Sequence, residues 1–254
     1  GTNIKILIDS AQSPYCKTEN GIAGTTGDIG GYSLNYHKII NTGEGGIIVT
    51  NNQKIAKRLC LLRNHAEITN SFKSKKDLSN MIGFNFRMGE LEAAIGLEQY
   101  KKLKKILYSR SKFLNQLTAK LKKLKGLTLP PLDKTYKNNF YVYPFVLNLK
   151  EIKISRIKLI SFLQKEGLRE IGGGYANLHL LPALQKKIAF GDKNFPWSYN
   201  KSKISYKKGI CPIAEKLHEK NFCLIEICMF EINSRTINSI ENSFIKVWKR
   251  LKLL

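Results

Sequence analysis

The sequence predicts an α/β fold followed by a smaller α+β domain, and three observations carry that expectation. Ile4 to Ile8 is apolar except for Lys5 and rich in β-branched residues, so it reads as a buried strand that ends at Asp9. Between Gln53 and Leu124, apolar residues recur at helical spacing. Beyond Gly126 and Pro130-Pro131 the pattern changes to alternating strand character at Phe140 to Leu149, and then returns to helix. The expected domains are therefore 1–126 and 127–254.

In chain order, Gly46 to Thr50 reads as a short strand and Asn51-Asn52 as a turn that caps a helix over Gln53 to Asn64. Asn70 to Asn80 is Ser/Lys-rich without periodicity and reads as a loop. A helix over Gly89 to Leu103 places Leu91, Ala94, Ile95 and Leu103 on one side, expected to pack in a core. A second, Ile106 to Leu124, turns Phe113, Leu117 and Leu121 inward and lysines outward. In the second domain a helix over Ser155 to Glu166 stops at Gly167. Pro212 opens another, and Thr236 to Leu251 forms a closing amphipathic helix.

The chemistry-bearing residues crowd into Asp9 to Gly46. Ligands of open α/β sheets bind at the carboxyl edge of the strands, which is where Asp9 sits; an acid that merely opens a loop is the plainer alternative. Lys38 lies among Gly30, Gly31, Gly43, Gly45 and Gly46, which allow close approach of backbone to a ligand. A lysine held in such a loop is a candidate Schiff-base amine, although most lysines of this chain are solvated surface.

Several motifs, in order, resemble the DegT/DnrJ/EryC1/StrS family of sugar aminotransferases. They are Asp9-Ser10-Ala11-Gln12, Gly27-Asp28-Ile29-Gly30, Ser33 with Lys38 five residues on, and Gly43-Glu44-Gly45-Gly46, followed by Leu62-Arg63-Asn64-His65 and Gly83 to Met88. The resemblance implies the C-terminal part of a pyridoxal-phosphate-dependent fold type I large domain, with a mixed, mostly parallel sheet, ahead of the smaller domain. It gives Asp9 to the protonated pyridine nitrogen, Lys38 to covalent attachment and proton transfer, Ser33 to the cofactor phosphate and Gln12 to the ring. It sends Asn85 and Arg87 to a phosphate in the neighbouring subunit of a homodimer with shared sites. His179 and Tyr175, in a loop that resembles the family's substrate loop, are candidate sugar contacts, a surface histidine being the alternative for His179.

The implied reaction moves an amino group from glutamate to a nucleotide-linked keto-sugar in surface polysaccharide or amino-sugar biosynthesis. The alternatives are a dehydratase of the same family, in which histidine replaces the lysine, and a non-catalytic remnant. Counting from Ser33 puts Lys38 rather than His37 at the anchor, which favours transamination. Asn35 stands where several relatives carry an aromatic residue or histidine, and is expected to bear on substrate choice. In the family, further strands, a phosphate-cupping turn and a ring-stacking aromatic precede these motifs, so an upstream segment is expected.

Composition bounds the rest. The net charge of +24 raises nucleic-acid binding, but only 8 of the 43 basic residues are arginine and the lysines are spread along amphipathic segments. No nucleic-acid partner is expected, although the field favours anionic ligands. The 5 cysteines lack paired spacing, which predicts no disulfide framework, no metal site and a reducing cytoplasm, with Cys60 and Cys223 as buried thiols. No apolar run is long enough to span a membrane.

Overall fold

The computed structural model describes residues 3–67, 81–132, 138–199 and 204–254. The loop expected at Asn70 to Asn80 lies outside them. The chain divides into one unit of Gly1–Lys112, Asp133–Tyr141 and Cys228–Phe230, and a second of Phe113–Leu132, Val142–Ile227 and Glu231–Leu254. The division thus falls after Lys112 rather than after residue 126, and two short segments return to the first unit.

In the first unit, β1 (Leu7–Asp9) precedes a two-residue hairpin of β2 (Lys17–Thr18) and β3 (Gly21–Ile22). Next come β4 (Ile29–Ser33) and β5 (Gly46–Val49), and the main sheet has the order β1-β4-β5. β1 runs parallel to β4, with Asp9 opposite Gly31, while β5 is antiparallel and sets Gly46 opposite Ser33. α1 (Gln53–Arg63) begins where the Asn52 side chain accepts the amides of Lys54 and Ile55, as the sequence predicts. α2 (Glu90–Leu121), which runs past Lys112 into the residues of the second unit, is one helix of 32 residues, not the expected two. Nothing between Leu103 and Ile106 breaks it, since Lys104 and Lys105 are good helix formers and neither Gly nor Pro intervenes.

Three expectations of burial fail in this unit. Leu7 is 68% exposed, because it projects from the same face of β1 as Asp9, two residues on, and that face is uncovered among the described residues. Leu91 and Ile95 are also exposed, while Leu103, on the same helix, is buried with Leu34, Ile39 and Ile40. Periodicity identifies the apolar face of a helix but not the length of it that is covered. Cys60 is exposed because the buried residue of α1 is its neighbour Leu61.

In the second unit, β6 (Leu127–Thr128) is followed by β7 (Tyr143–Leu147), α3 (Leu149–Ile152), α4 (Arg156–Lys165) and β8 (Ile171–Gly172). After them come α5 (Pro182–Lys186), α6 (Pro212–Lys216), a π-helical turn over Leu217–Asn221, β9 (Phe222–Ile225) and α7 (Ser234–Arg250). The sheet is antiparallel with order β6-β7-β9-β8. β7 alternates as predicted, burying Tyr143, Phe145 and Leu147. It starts three residues later than expected, since Phe140 takes φ 48 and cannot continue a strand. Opposite it, α7 buries Ile237, Ile240, Phe244, Val247 and Trp248. Cys223 is fully buried as expected, and burial pushes its thiol up to about 12.

Candidate active site

Pleating decides which side chains of the first sheet can act together. Asp9 and Gly31 are partners across parallel strands and Ser33 is two residues beyond Gly31, so all three project from one face at the carboxyl edge. On the opposite face the loop after β3 lies against the sheet. A Cβ at Gly30 would stand 1.8 Å from the Gly24 carbonyl, and the Tyr32 hydroxyl donates to the carbonyl of Ala23. A Cβ at Gly31 would meet nothing within 4 Å. The sheet is therefore closed on one side and open beside Asp9, where a flat ring can approach the backbone.

Asp9 is held by its own loop, with Oδ1 accepting the Ala11 amide at 3.0 Å. Its Oδ2 has no partner among the described residues and is available to a donor. The Ser33 hydroxyl accepts the Asn35 amide at 3.3 Å, a long contact that leaves its own proton to donate. Gln12 is exposed; its carbonyl, not its side chain, is engaged, taking the Asn139 Nδ2 proton at 2.8 Å.

Lys38 lies in the loop between β4 and β5, closing a turn through its amide to the Asn35 carbonyl at 2.9 Å. Leu34, Ile39 and Ile40 are buried around it and anchor the loop. Asn35 donates to Glu44 at 2.6 Å, and Thr42 bonds the Leu34 and Glu44 carbonyl groups, so the loop is closed across its neck. The half-buried Lys38 amine stands 4.6 Å from the centroid of the Tyr141 ring. Burial pushes the nearby Cys228 thiol up despite the opposing pull of Arg110 and Lys38, so it is a neutral neighbour. Among the described residues, no His/Cys/Asp/Glu group could hold a metal ion.

Tyr141, Asn139 and Arg110 bear on this site and were not anticipated. The first two lie in and beside a run that reads as strand, and Arg110 lies on a helix among many basic residues, so no local spacing singles them out.

The DegT/DnrJ/EryC1/StrS aminotransferase family pattern matches residues 1–224. The chain belongs to that family. The uncharacterized protein MJ1066 of Methanocaldococcus jannaschii is 27% identical over 208 residues, 78% of this chain and 54% of its own length. GDP-perosamine synthase of Caulobacter vibrioides is 29% identical over 181 residues, 71% of this chain and 47% of its own. The chain thus spans about half the length of these curated relatives. Among solved structures, Helicobacter pylori PseC, an aminotransferase involved in the biosynthesis of pseudoaminic acid, superposes with TM-score 0.75 at 22% identity, over 97% of this chain and 60% of that one. The mixed α/β architecture is therefore that of the DegT family fold.

The other family positions lie elsewhere in the chain. Asn85 pairs with Asn64 beyond the end of α1, and the Arg87 guanidinium donates to the Asn64 side chain at 2.7 Å. Both are exposed, and no described contact joins them to Asp9, Ser33 or Lys38. Tyr175 and His179 belong to the second unit, where Tyr175 is 74% exposed. The surface alternative for His179 does not hold: its side chain is 12% exposed and Nε2 lies 2.9 Å from Oε1 of the buried Glu215. That carboxylate also accepts the amides of Gly209 and Cys211.

Burial pushes the Glu215 carboxyl up, but the Gly209 amide, His179 and the Cys211 amide outweigh it, and the group is held below its ordinary range. A depressed folded value contributes stability that is present at neutral pH and lost as pH falls through it. The urea midpoint is therefore expected to fall between about pH 5 and pH 3, and Glu215→Gln to flatten that dependence while lowering the midpoint at pH 7. An equally steep acid dependence in the Gln variant would assign the effect to other carboxylates.

Proposed function

We propose that this chain carries the lysine-bearing wall of a pyridoxal-phosphate-dependent aminotransferase acting on a nucleotide-linked keto-sugar. The observation that carries the reading is the placement of Asp9, Gly31 and Ser33 on one open sheet face, with Lys38 in the closed loop that follows directly. The donor set fits the cofactor: a carboxylate oxygen for the ring nitrogen, an uncovered glycine beneath a flat ring, a hydroxyl for the phosphate and an amine for covalent attachment. The cofactor, when bound, serves as an electron sink for the substrate carbon that loses or gains a proton.

The chain's own residues supply position and proton transfer. Asp9 would keep the cofactor's ring nitrogen protonated, because a carboxylate beside it favours the charged form. Ser33 would donate to a phosphate oxygen and Gln12 would orient the ring edge. Lys38 would hold the cofactor through its amine and, when that amine is free, would move a proton as base and then acid. The net charge of +24 favours an anionic sugar nucleotide. A homodimer with shared sites is part of the proposal. It is supported by the exposed Phe84, Phe86, Leu91 and Leu97, and by Asn85 and Arg87 lying apart from the Lys38 group. Glutamate is the proposed donor, and biosynthesis of surface polysaccharide or amino sugars the setting.

Incubation of the protein with pyridoxal phosphate, a nucleotide-linked 4-keto-6-deoxy sugar and glutamate tests the reaction. Stoichiometric 2-oxoglutarate and amino sugar are expected. Loss of water from the sugar with no amino sugar formed would instead establish the dehydratase, and no turnover with any keto-sugar nucleotide would favour the non-catalytic remnant.

A further inference from the structure

The amine of Lys38 has a resting place that the reaction scheme does not by itself require. Nζ stands 4.6 Å from the centroid of the Tyr141 ring, within the range where an ammonium is attracted to an aromatic face. Among the described residues no carboxylate lies within ion-pair distance of Lys38, so the ring is not competing with an anion. The His37 ring also lies near Tyr141, at 6.3 Å and tilted by 50°.

Tyr141 is itself firmly placed. It is 8% exposed and ends a segment tied to the first unit at successive residues. Asn139, buried, donates to the Gln12 carbonyl at 2.8 Å, which fastens the segment to the loop that follows Asp9. Arg110, buried on α2, donates to the Phe140 carbonyl at 2.8 Å. The Phe140 amide bonds the Asn138 side chain at 2.9 Å, and Phe140 is held at φ 48, a conformation aromatic residues rarely adopt. Such a conformation persists only where the surroundings fix it.

We propose that Tyr141 is a positioning residue for Lys38, its ring face receiving the ammonium whenever that amine is not covalently engaged. This rests on the reading of Lys38 as the cofactor's anchor. A ring suits the task better than a carboxylate would. It holds an ammonium by only about 2- to 30-fold, enough to keep the amine localised without preventing its return to the cofactor. A salt bridge in a half-buried loop would hold the charge in place and oppose loss of the proton. The Asn139 and Arg110 bonds then act at one remove, fixing the ring against the same loop that bears Asp9 and Gln12.

The contact can be read without turnover. With lysines 13C-labelled at the ε position in the cofactor-free 254-residue chain, the Lys38 methylene is expected upfield of the other lysines through the ring current, assigned by its disappearance in Lys38→Ala. Tyr141→Phe should preserve the shifted signal and Tyr141→Leu should return it to the common lysine position. In the loaded protein Tyr141→Leu should lower kcat about 3- to 10-fold with KM for the sugar nucleotide unchanged, and Tyr141→Phe should restore it. A wild-type spectrum with no ring-shifted Lys38 signal overturns the proposal even if the Leu variant does not fold. If that signal is missing while a Lys38-dependent cofactor band forms, only the Tyr141 assignment falls. If the shift is present but cofactor uptake survives Lys38→Ala, it is the functional reading that fails.

Discussion

Lys38→Ala is expected to abolish the borohydride-reducible visible band that forms when pyridoxal phosphate is added, and to lower amino transfer by more than the 10²- to 10⁴-fold typical of losing one general acid–base group. The loss should exceed that range because one amine is assigned two tasks, attachment and proton transfer, which fail together. The substitution is well suited to the question because it leaves the loop intact. Leu34, Ile39 and Ile40 hold the loop in the core, and the Asn35–Glu44 and Thr42 bonds close it without using the Lys38 side chain. Lys38→Arg provides the control: it keeps the positive charge near Tyr141 but cannot form the covalent link, so it should resemble alanine in activity and wild type in its unfolding midpoint. Retention of the reducible band in Lys38→Ala would place the attachment at another lysine and remove the basis of the proposed function.

Trp248→Ala carries the largest expected stability effect, about 3–5 kcal/mol by analogy with other aromatic truncations in cores. The indole is fully buried, stacks on Phe244 with centroids 5.5 Å apart, and donates to the Lys125 carbonyl at 2.9 Å. Truncation therefore leaves a cavity beside Phe244 and an unpaired carbonyl together. Against the 5–15 kcal/mol that is usual for a folded domain, such a loss should remove a large share of the second unit's stability. Circular dichroism in urea provides the measurement. Trp248→Phe, which restores most of the volume but not the donor, should recover the greater part of the loss. A midpoint for Trp248→Ala within error of wild type would mean that α7 does not pack against the second unit's core as described.

The two substitutions probe features of unequal visibility in the sequence. α7 was visible almost to the residue, because Ile237, Ile240, Phe244 and Val247 follow a helical period and all are buried. β7 was visible through alternation, yet its start was not, because only the left-handed backbone of Phe140 ends the run. At the candidate site, Asp9, Ser33 and Lys38 could be picked out since they fall within one short segment of a recognisable pattern. His179 could be singled out too, but not its partner: Glu215 is 36 residues away and looks like any acid in the first turn of a helix.

What the sequence determined by itself was encoded at short range: the type of the longer strands and helices, the Asn52 cap, the glycine-rich lysine loop and the order of the family's motifs. Periodicity and capping are properties of neighbouring residues, and the chain declares them before it folds. The tertiary structure alone decided that Asp9, Gly31 and Ser33 share an open face, because strand register joins residues distant in sequence. It also decided that Leu7, Leu91 and Ile95 stay exposed, and that Tyr141 lies against the amine of Lys38, more than one hundred residues earlier. Burial and cross-chain contact depend on which surfaces meet, and no local pattern carries that information.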